Sequence, residues 1–421
     1  MESDCGKVVL DNGIRIVTKR VPTARSVSMG VWVDVGARDE QGEESGICHL
    51  IEHMIFKGTQ RRSALDIAKE FDAIGGQCNA FTSKENTCYH AKVMDRYLDT
   101  MVDLLSDIFL NSVFDPQELE RERHVILQEI RMLEDTPEEH VHVLLAKAAW
   151  GNHALGRSIL GSPETVAAFD SQTIKDFFTR AYQPERIIVA AAGNLEHETF
   201  VRLTAKAFEV VRRCNGFPKR LPPVLNPSIK LYPKPLEQVH ICLGTKGVKT
   251  TDPRRYAGAL LNVILGGNMS SRLFQEIRER RGLAYSIYSY LSTYSDVGTW
   301  GIYVGVDPSK IDETLGVIVA EITKGKERGV DSWELTNAKQ YLKGGMCLAA
   351  ESTENQMIRI AQNEMNFGRF VPLEEIEEKI DRVTAEDVEA LAEDIFRKES
   401  AALTLLGPVD ETVSYDGMLD F

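Results

Sequence analysis

The feature that most constrains this chain is a proline-dense seam near its middle. The stretch "CNGFPKRLPPVLNPSIKLYPKPLEQ", Cys214 to Gln238, contains six of the fifteen prolines, all between Pro218 and Pro235. Proline lacks a backbone N–H and fixes φ, so such a density is incompatible with a helix or a central strand. Residues 215–238 are therefore expected to form an extended linker between a first half, 1–214, and a second half, 239–421. The length of 421 residues points the same way, because a single core usually serves roughly 100–200 residues.

The two halves resemble each other. "SVSMGVWVDVGARDE" and "QVHICLGTKGVKTTD" both alternate like strands. Further on, "NTCYHAKVMDRYLDTMVDLLSDI" runs from strand to helix as "GTWGIYVGVDPSKIDETLGVIVAEI" does, and "FDPQELERERHVILQEI" is placed like "VDSWELTNAKQYLKGGM". All three matches recur at an offset of about 211–216 residues, the mark of an internal duplication. Strands and helices mix without a βαβ rhythm. The expected fold class is thus α+β, with two homologous α/β-sandwich halves, each an antiparallel-rich sheet carrying helices.

Composition narrows the partners. Lys plus Arg is 49 and Asp plus Glu is 63, for a formal charge of −14. That surplus disfavours nucleic acid and anionic membranes and attracts basic peptides, and no P-loop is present. The seven cysteines, Cys214 among them, include no C-x-x-C pair, which fits a reducing compartment and free core thiols. No run of about 18 apolar residues occurs, and "MESDCGKVVLDNGIRIV" has no signal-length apolar run. A cytoplasmic protein is expected, or the mature form of one from an organelle matrix.

Within "ESGICHLIEHMIFKGT", His49, Glu52 and His53 spell H-x-x-E-H. Residues four apart share a helical face, so both imidazoles address one point, with Glu52 close beside it. Two neutral imidazoles suit Zn²⁺, which needs a third protein ligand, and a neighbouring carboxylate can act as general base. The alternative is a helix with satisfied core histidines. In "ELERERHVILQEIRML", Glu122, Val125, Ile126, Glu129 and Leu133 form one stripe. Carboxylates among aliphatic residues are costly to bury unless a cation meets them; the alternative is a solvated charged face. In "GGQCNAFTSKENT", Gly75 and Gly76 end a helix and residues 77–82 can form an exposed strand edge.

Taken in order, "VVLDNGIRIV", "HLIEHMIFKGT", "NAFTSKENT", "ALGRSILGSPE" and "SSRLFQEIRERRGLAYSIYS" make the whole chain resemble the inverzincin, or pitrilysin-type, zinc metallopeptidases, specifically the short-subunit branch of mitochondrial and bacterial processing peptidases. The resemblance implies one Zn²⁺ per chain on His49, His53 and Glu129, the last lying 76 positions past His53, with Glu52 as general base. It implies that Glu122 orients a ligand imidazole, and that Arg278 and Tyr285 of "IRERRGLAY" face the substrate from the metal-free half. Asn79, Ala80 and Phe81 would bind an extended peptide by strand addition. The acidic run "EDTPEEH", with Glu134, Asp135, Glu138 and Glu139, would select basic side chains or simply be solvated. Cys48 departs from the alanine commoner before the first histidine, and its direction points off the ligand face.

The resemblance further implies two chains pairing as a clamshell dimer, a homodimer in the simplest case or else a heterodimer, around a chamber that admits unfolded peptides. The expected activity is zinc-dependent endopeptidase cleavage of extended peptides or presequences. The competing role is a non-catalytic structural or partner subunit of the same family; such members usually lose motif residues, whereas all of those above are present here.

Overall fold

The first sheet gathers β1 (Cys5–Val9), β2 (Arg15–Arg20), β3 (Ser26–Val33), β4 (Gln77–Thr82), β5 (Thr87–Met94) and β6 (Ile187–Gly193) in the order β1-β2-β6-β3-β5-β4. The second gathers β7 (Ser228–Pro233), β8 (Val239–Gly247), β9 (Ala284–Thr293), β10 (Gly298–Val306) and β11 (Ala402–Gly407) in the order β7-β11-β8-β10-β9. The structure, a computed structural model, describes residues 4–212 and 217–421. The expected boundary between first half and linker, at Cys214–Asn215, lies outside the described residues.

The duplication is visible in strand pairing. β2 runs parallel to β6, and the pairs β6–β3, β3–β5 and β5–β4 are antiparallel. In the second sheet β7 runs parallel to β11, and β11–β8, β8–β10 and β10–β9 are antiparallel. The same five-strand pattern is thus built twice, with β1 added to the first, and the α/β, antiparallel-rich expectation holds. Residues 228–233, expected as linker, form a strand. It is an edge strand ending on Pro233, the one strand position where a missing N–H breaks no ladder.

The helices are α1 (Ile47–Met54), α2 (Ala64–Ala73), α3 (Leu98–Asn111), α4 (Pro116–Glu134), α5 (Pro137–Trp150), α6 (Pro163–Ala168), α7 (Ser171–Ala181), α8 (His197–Phe208), α9 (Arg255–Leu265), α10 (Ile311–Glu327), α11 (Ser332–Ala349), α12 (Thr353–Phe367), α13 (Leu373–Arg382) and α14 (Ala385–Ile395). Among the described residues no helix is long and apolar enough to cross a membrane.

Compactness divides the chain differently from the linear halves. One unit comprises Met1–Arg131, Ser158–Arg220 and Cys347–Val371; the other comprises Met132–Arg157, Leu221–Met346 and Pro372–Phe421. Each half lends a helix to the other half's sheet: α12 packs on β2, β3 and β6, and α5 packs on β8 and β11. The alternation of β3 explains the first case. Val27, Met29, Val31 and Val33 join the core under α1 and α3. Ser28, Gly30 and Trp32 point the other way, where the Ser28 hydroxyl lies 2.9 Å from that of Thr353 and Trp32 Nε1 donates to Met357 Sδ at 3.3 Å. A strand buried on both faces needs a cover for each. The start of the seam is tied to the first unit, since Arg220 pairs with Asp34 at 2.9 Å and with Asp39 at 2.8 Å.

Met357 is fully buried against Trp32. Met357→Ala is expected to cost about 2–5 kcal/mol, read as a lower urea midpoint by tryptophan fluorescence. An unchanged midpoint would remove α12 from the first sheet's core.

Candidate metal centre

α1 carries the H-x-x-E-H segment on one short helix, and its start is fixed by backbone geometry. Gly46, the residue before it, has φ +95°, a conformation that L side chains rarely adopt, and a Cβ there would sit 2.7 Å from the Leu160 carbonyl oxygen. The first turn of a helix leaves N–H groups without intrahelical acceptors. Glu40 accepts two such bonds, from Gly46 N and Cys48 N, each at 2.9 Å. Ile47, Leu50, Ile51 and Met54 anchor the other face in the core.

On the remaining face the rings of His49 and His53 lie 4.7 Å apart between centroids. α4 brings Glu129 to them: its Oε2 is 3.7 Å from His49 Nε2 and 3.7 Å from His53 Nε2. One donor atom from each of the three lies within 4.8 Å of the others, and this is the group of three metal-capable side chains found among the described residues. The spacing is too long for hydrogen bonds. It is near the roughly 3.3 Å separating donors on a tetrahedral ion with bonds of about 2.0–2.1 Å. Among the described residues Glu129 Oε2 is buried with no hydrogen-bond partner, and so is Glu52 Oε2. Buried carboxylate oxygens without donors are expensive, so the donor set fits a divalent cation.

The surroundings tune these groups. Burial, and then the neighbouring His53, lower His49 to about 4, leaving a neutral imidazole whose lone pair is free at neutral pH. Burial also pulls His53 down, but the Glu122 hydrogen bond and the Glu129 charge outweigh it, and the net shift is upward. Glu122 Oε2 accepts from His53 Nδ1 at 2.9 Å, and Lys57 Nζ donates to Glu122 Oε1 at 2.7 Å. Against burial, these donors hold the Glu122 carboxyl below its ordinary value. Burial raises the Glu52 carboxyl, opposed by Thr82 and His53.

The expected stripe on α4 is shifted. The buried residues are Leu119, Glu122, Ile126 and Ile130, whereas Val125 is exposed, because adjacent helical residues point about 100° apart. Cys48 is fully buried, and burial pushes its thiol far up, so it stays protonated and off the ligand face.

A cleft of about 890 Å³ opens beside Glu52 and His53 and is lined by Asn79 and Ala80 of β4, with Phe56, Ile67 and Phe71 as an apolar wall. β4 pairs with β5 alone, so its other edge is free among the described residues. Phe81 does not join the cleft lining; its ring packs against Trp32 at 5.4 Å. Arg278 and Tyr285 belong to the second unit. Arg278 lies on the π-helical segment Phe274–Arg280, its guanidinium 4.4 Å from the centre of the Tyr285 ring, and Tyr285 is 78% exposed. The acidic side chains 134, 135, 138 and 139 are exposed and also fall in the second unit. Sequence reasoning missed Glu40 and Lys57. Lys57 stands four residues after His53, a spacing that could have flagged it, but α1 ends at Met54.

The Bacillus subtilis protein named "uncharacterized zinc protease YmxG" is 43% identical over 94% of this chain and 97% of its own length. A Streptomyces coelicolor protein, also named an uncharacterized zinc protease, is 39% identical over 96% of this chain and 90% of its own length. The family model for insulinase (peptidase family M16) matches residues 15–163, and that for the M16 inactive domain matches 168–342. The chain belongs to the M16 peptidase family. A solved structure of a Helicobacter pylori protease superposes with TM-score 0.91 at 23% identity, over 96% of this chain and 99% of the other. A Pseudomonas fluorescens M16 inactive domain gives 0.89 at 19%, over 97% and 99%. The relatives and the family models bear out the resemblance at the level of the family, and the solved structures bear out the fold of the single chain.

In this M16 chain, Glu122→Gln is expected to weaken binding of a Zn²⁺ probe by roughly 10–100-fold, while Glu129→Ala removes stoichiometric retention. Competition with a chelating dye measures both. Equal affinity in all three proteins would dismantle the three-ligand assignment.

Proposed function

We propose that this chain is a zinc-dependent endopeptidase that cleaves extended peptides. The observation that carries the reading is the convergence of His49 Nε2, His53 Nε2 and Glu129 Oε2 beside an unpartnered, buried Glu52 oxygen at the mouth of a cleft. The names of the relatives as zinc proteases agree with it.

His49, His53 and Glu129 would hold one Zn²⁺, which supplies Lewis acidity to lower the pKa of a water and to polarise the scissile carbonyl. Glu52 accepts a proton from the attacking water at Oε2 and returns it to the departing amine nitrogen. The edge of β4 at Asn79 and Ala80 would offer main-chain groups to an extended peptide, which requires little of its sequence; the peptide would displace the Asn79 side-chain oxygen that accepts from Ala80 N at 2.9 Å. The wall of Phe56, Ile67 and Phe71 suits an apolar side chain beside the scissile bond. Arg278 and Tyr285 are assigned as donors to the substrate carbonyl or its oxyanion; their mutual stacking and the exposure of Tyr285 are what support this. Pairing of two chains, identical in the simplest case, would enclose the peptide, and the acidic surplus of −14 favours basic peptides and presequences.

Glu52→Gln is expected to retain one zinc per chain while peptide hydrolysis falls by about 10²–10⁴-fold, measured on a quenched-fluorescence peptide library beside a metal analysis. Turnover at the wild-type rate in that variant would take Glu52 out of the chemistry. Arg278→Ala is expected to lower kcat/KM by about 10²-fold with zinc content unchanged. An unaltered kcat/KM would return the pair to a structural role.

A further inference from the structure

Lys57 lies outside the H-x-x-E-H pentapeptide, four residues past His53, yet it occupies a defined place beside the candidate metal centre. It lines the cleft, and its Nζ sits 2.7 Å from Glu122 Oε1, with the Glu122 side chain only 8% exposed. The other oxygen of the same carboxylate is 2.9 Å from His53 Nδ1. A carboxylate with one oxygen held by an ammonium cannot rotate freely about its terminal bond. Its second oxygen is then aimed at a fixed point and accepts the Nδ1–H of His53, which leaves Nε2 as the nitrogen carrying the lone pair. That Nε2 is the atom facing Glu129.

The two histidines differ in this respect. His49 Nδ1 is buried and has no hydrogen-bond partner among the described residues. Orientation of the imidazole pair by hydrogen bonding therefore enters through His53 alone, along Lys57–Glu122–His53. A cation in a substrate cleft could instead serve an acidic peptide side chain. The short pairing with a buried carboxylate argues against that use, because breaking it would leave Glu122 buried beside no cation.

We propose that Lys57 is a positioning residue of the metal centre: acting through Glu122, it fixes the tautomer and angle of His53 and so sets metal affinity without touching the ion. The inference rests on the reading of His49, His53 and Glu129 as ligands. It is tested on the purified full chain, with no peptide present, by competing Zn²⁺ against a chelator of known affinity. Lys57→Met is expected to weaken Zn²⁺ about 10-fold in protein that stays folded by far-UV circular dichroism at the assay temperature, and Lys57→Arg recovers most of the loss. In a Glu122→Gln background, Lys57→Met should add nothing further, a result that a general packing role would not give. Wild-type affinity in Lys57→Met, or an undiminished loss in the Glu122→Gln background, would overturn the role. Wild-type protein that binds Zn²⁺ but cleaves no peptide would overturn the proposed function and leave Lys57 in place; wild-type protein that holds no Zn²⁺ would overturn both.

Discussion

Two imidazoles and two glutamates gathered on the mutual faces of α1 and α4 are the constraint to which the first unit is built. Glu52 and Glu129 each leave a buried oxygen without a donor, a condition that costs free energy in the absence of a cation. The protein compensates only part of that charge by itself. Lys57 neutralises Glu122, and Glu40 spends its carboxylate on the start of α1. What remain, each with one oxygen that no donor among the described residues reaches, are Glu52 and Glu129. A site left with that charge is one that a cation would complete, and membership of the M16 family agrees with it.

Much of this was legible in the residues, and what was not has physical reasons. The i, i+4 spacing of His49 and His53 needs only helical geometry, so a local pattern sufficed. Glu129 is separated from them by dozens of residues, and no periodicity connects α4 to α1; only the resemblance placed it. Glu40 caps α1 from six residues upstream of Gly46, a distance no capping-box rule covers. The duplication was readable because strand alternation survives divergence. The exchange of α5 and α12 between sheets was not, because a helix's apolar face does not state which sheet it covers. The seam behaved as proline chemistry requires, staying off central strands while still supplying the edge strand β7.

The repeated topology separates scaffold from chemistry. Both sheets pair their strands in the same senses, and each receives a helix encoded in the opposite half. The metal-capable trio found among the described residues belongs to the first unit. The second carries an exposed Tyr285 stacked on Arg278 instead. Identical architecture with different side chains shows that the fold does not dictate the site. It also explains why the exchanged helices matter: truncating the chain at the seam would strip α12 from β2, β3 and β6 and expose Trp32, so neither linear half carries its own complete core.

The free edge of β4 makes the last step. An unpaired strand edge invites association with other chains, and proteins usually blunt it with charge, proline or a covering segment. β4 reads QCNAFT, with neither a charged residue nor a proline, and among the described residues no other strand pairs with its outer side. The same edge borders the cleft that holds Glu52 and His53. Leaving it uncovered is a liability with no return in stability, since the core beneath it would be served equally by a shielded strand. The uncovered edge makes sense if its main-chain groups are kept for a transient partner, and under the proposed function that partner is an extended peptide, whose backbone matches them.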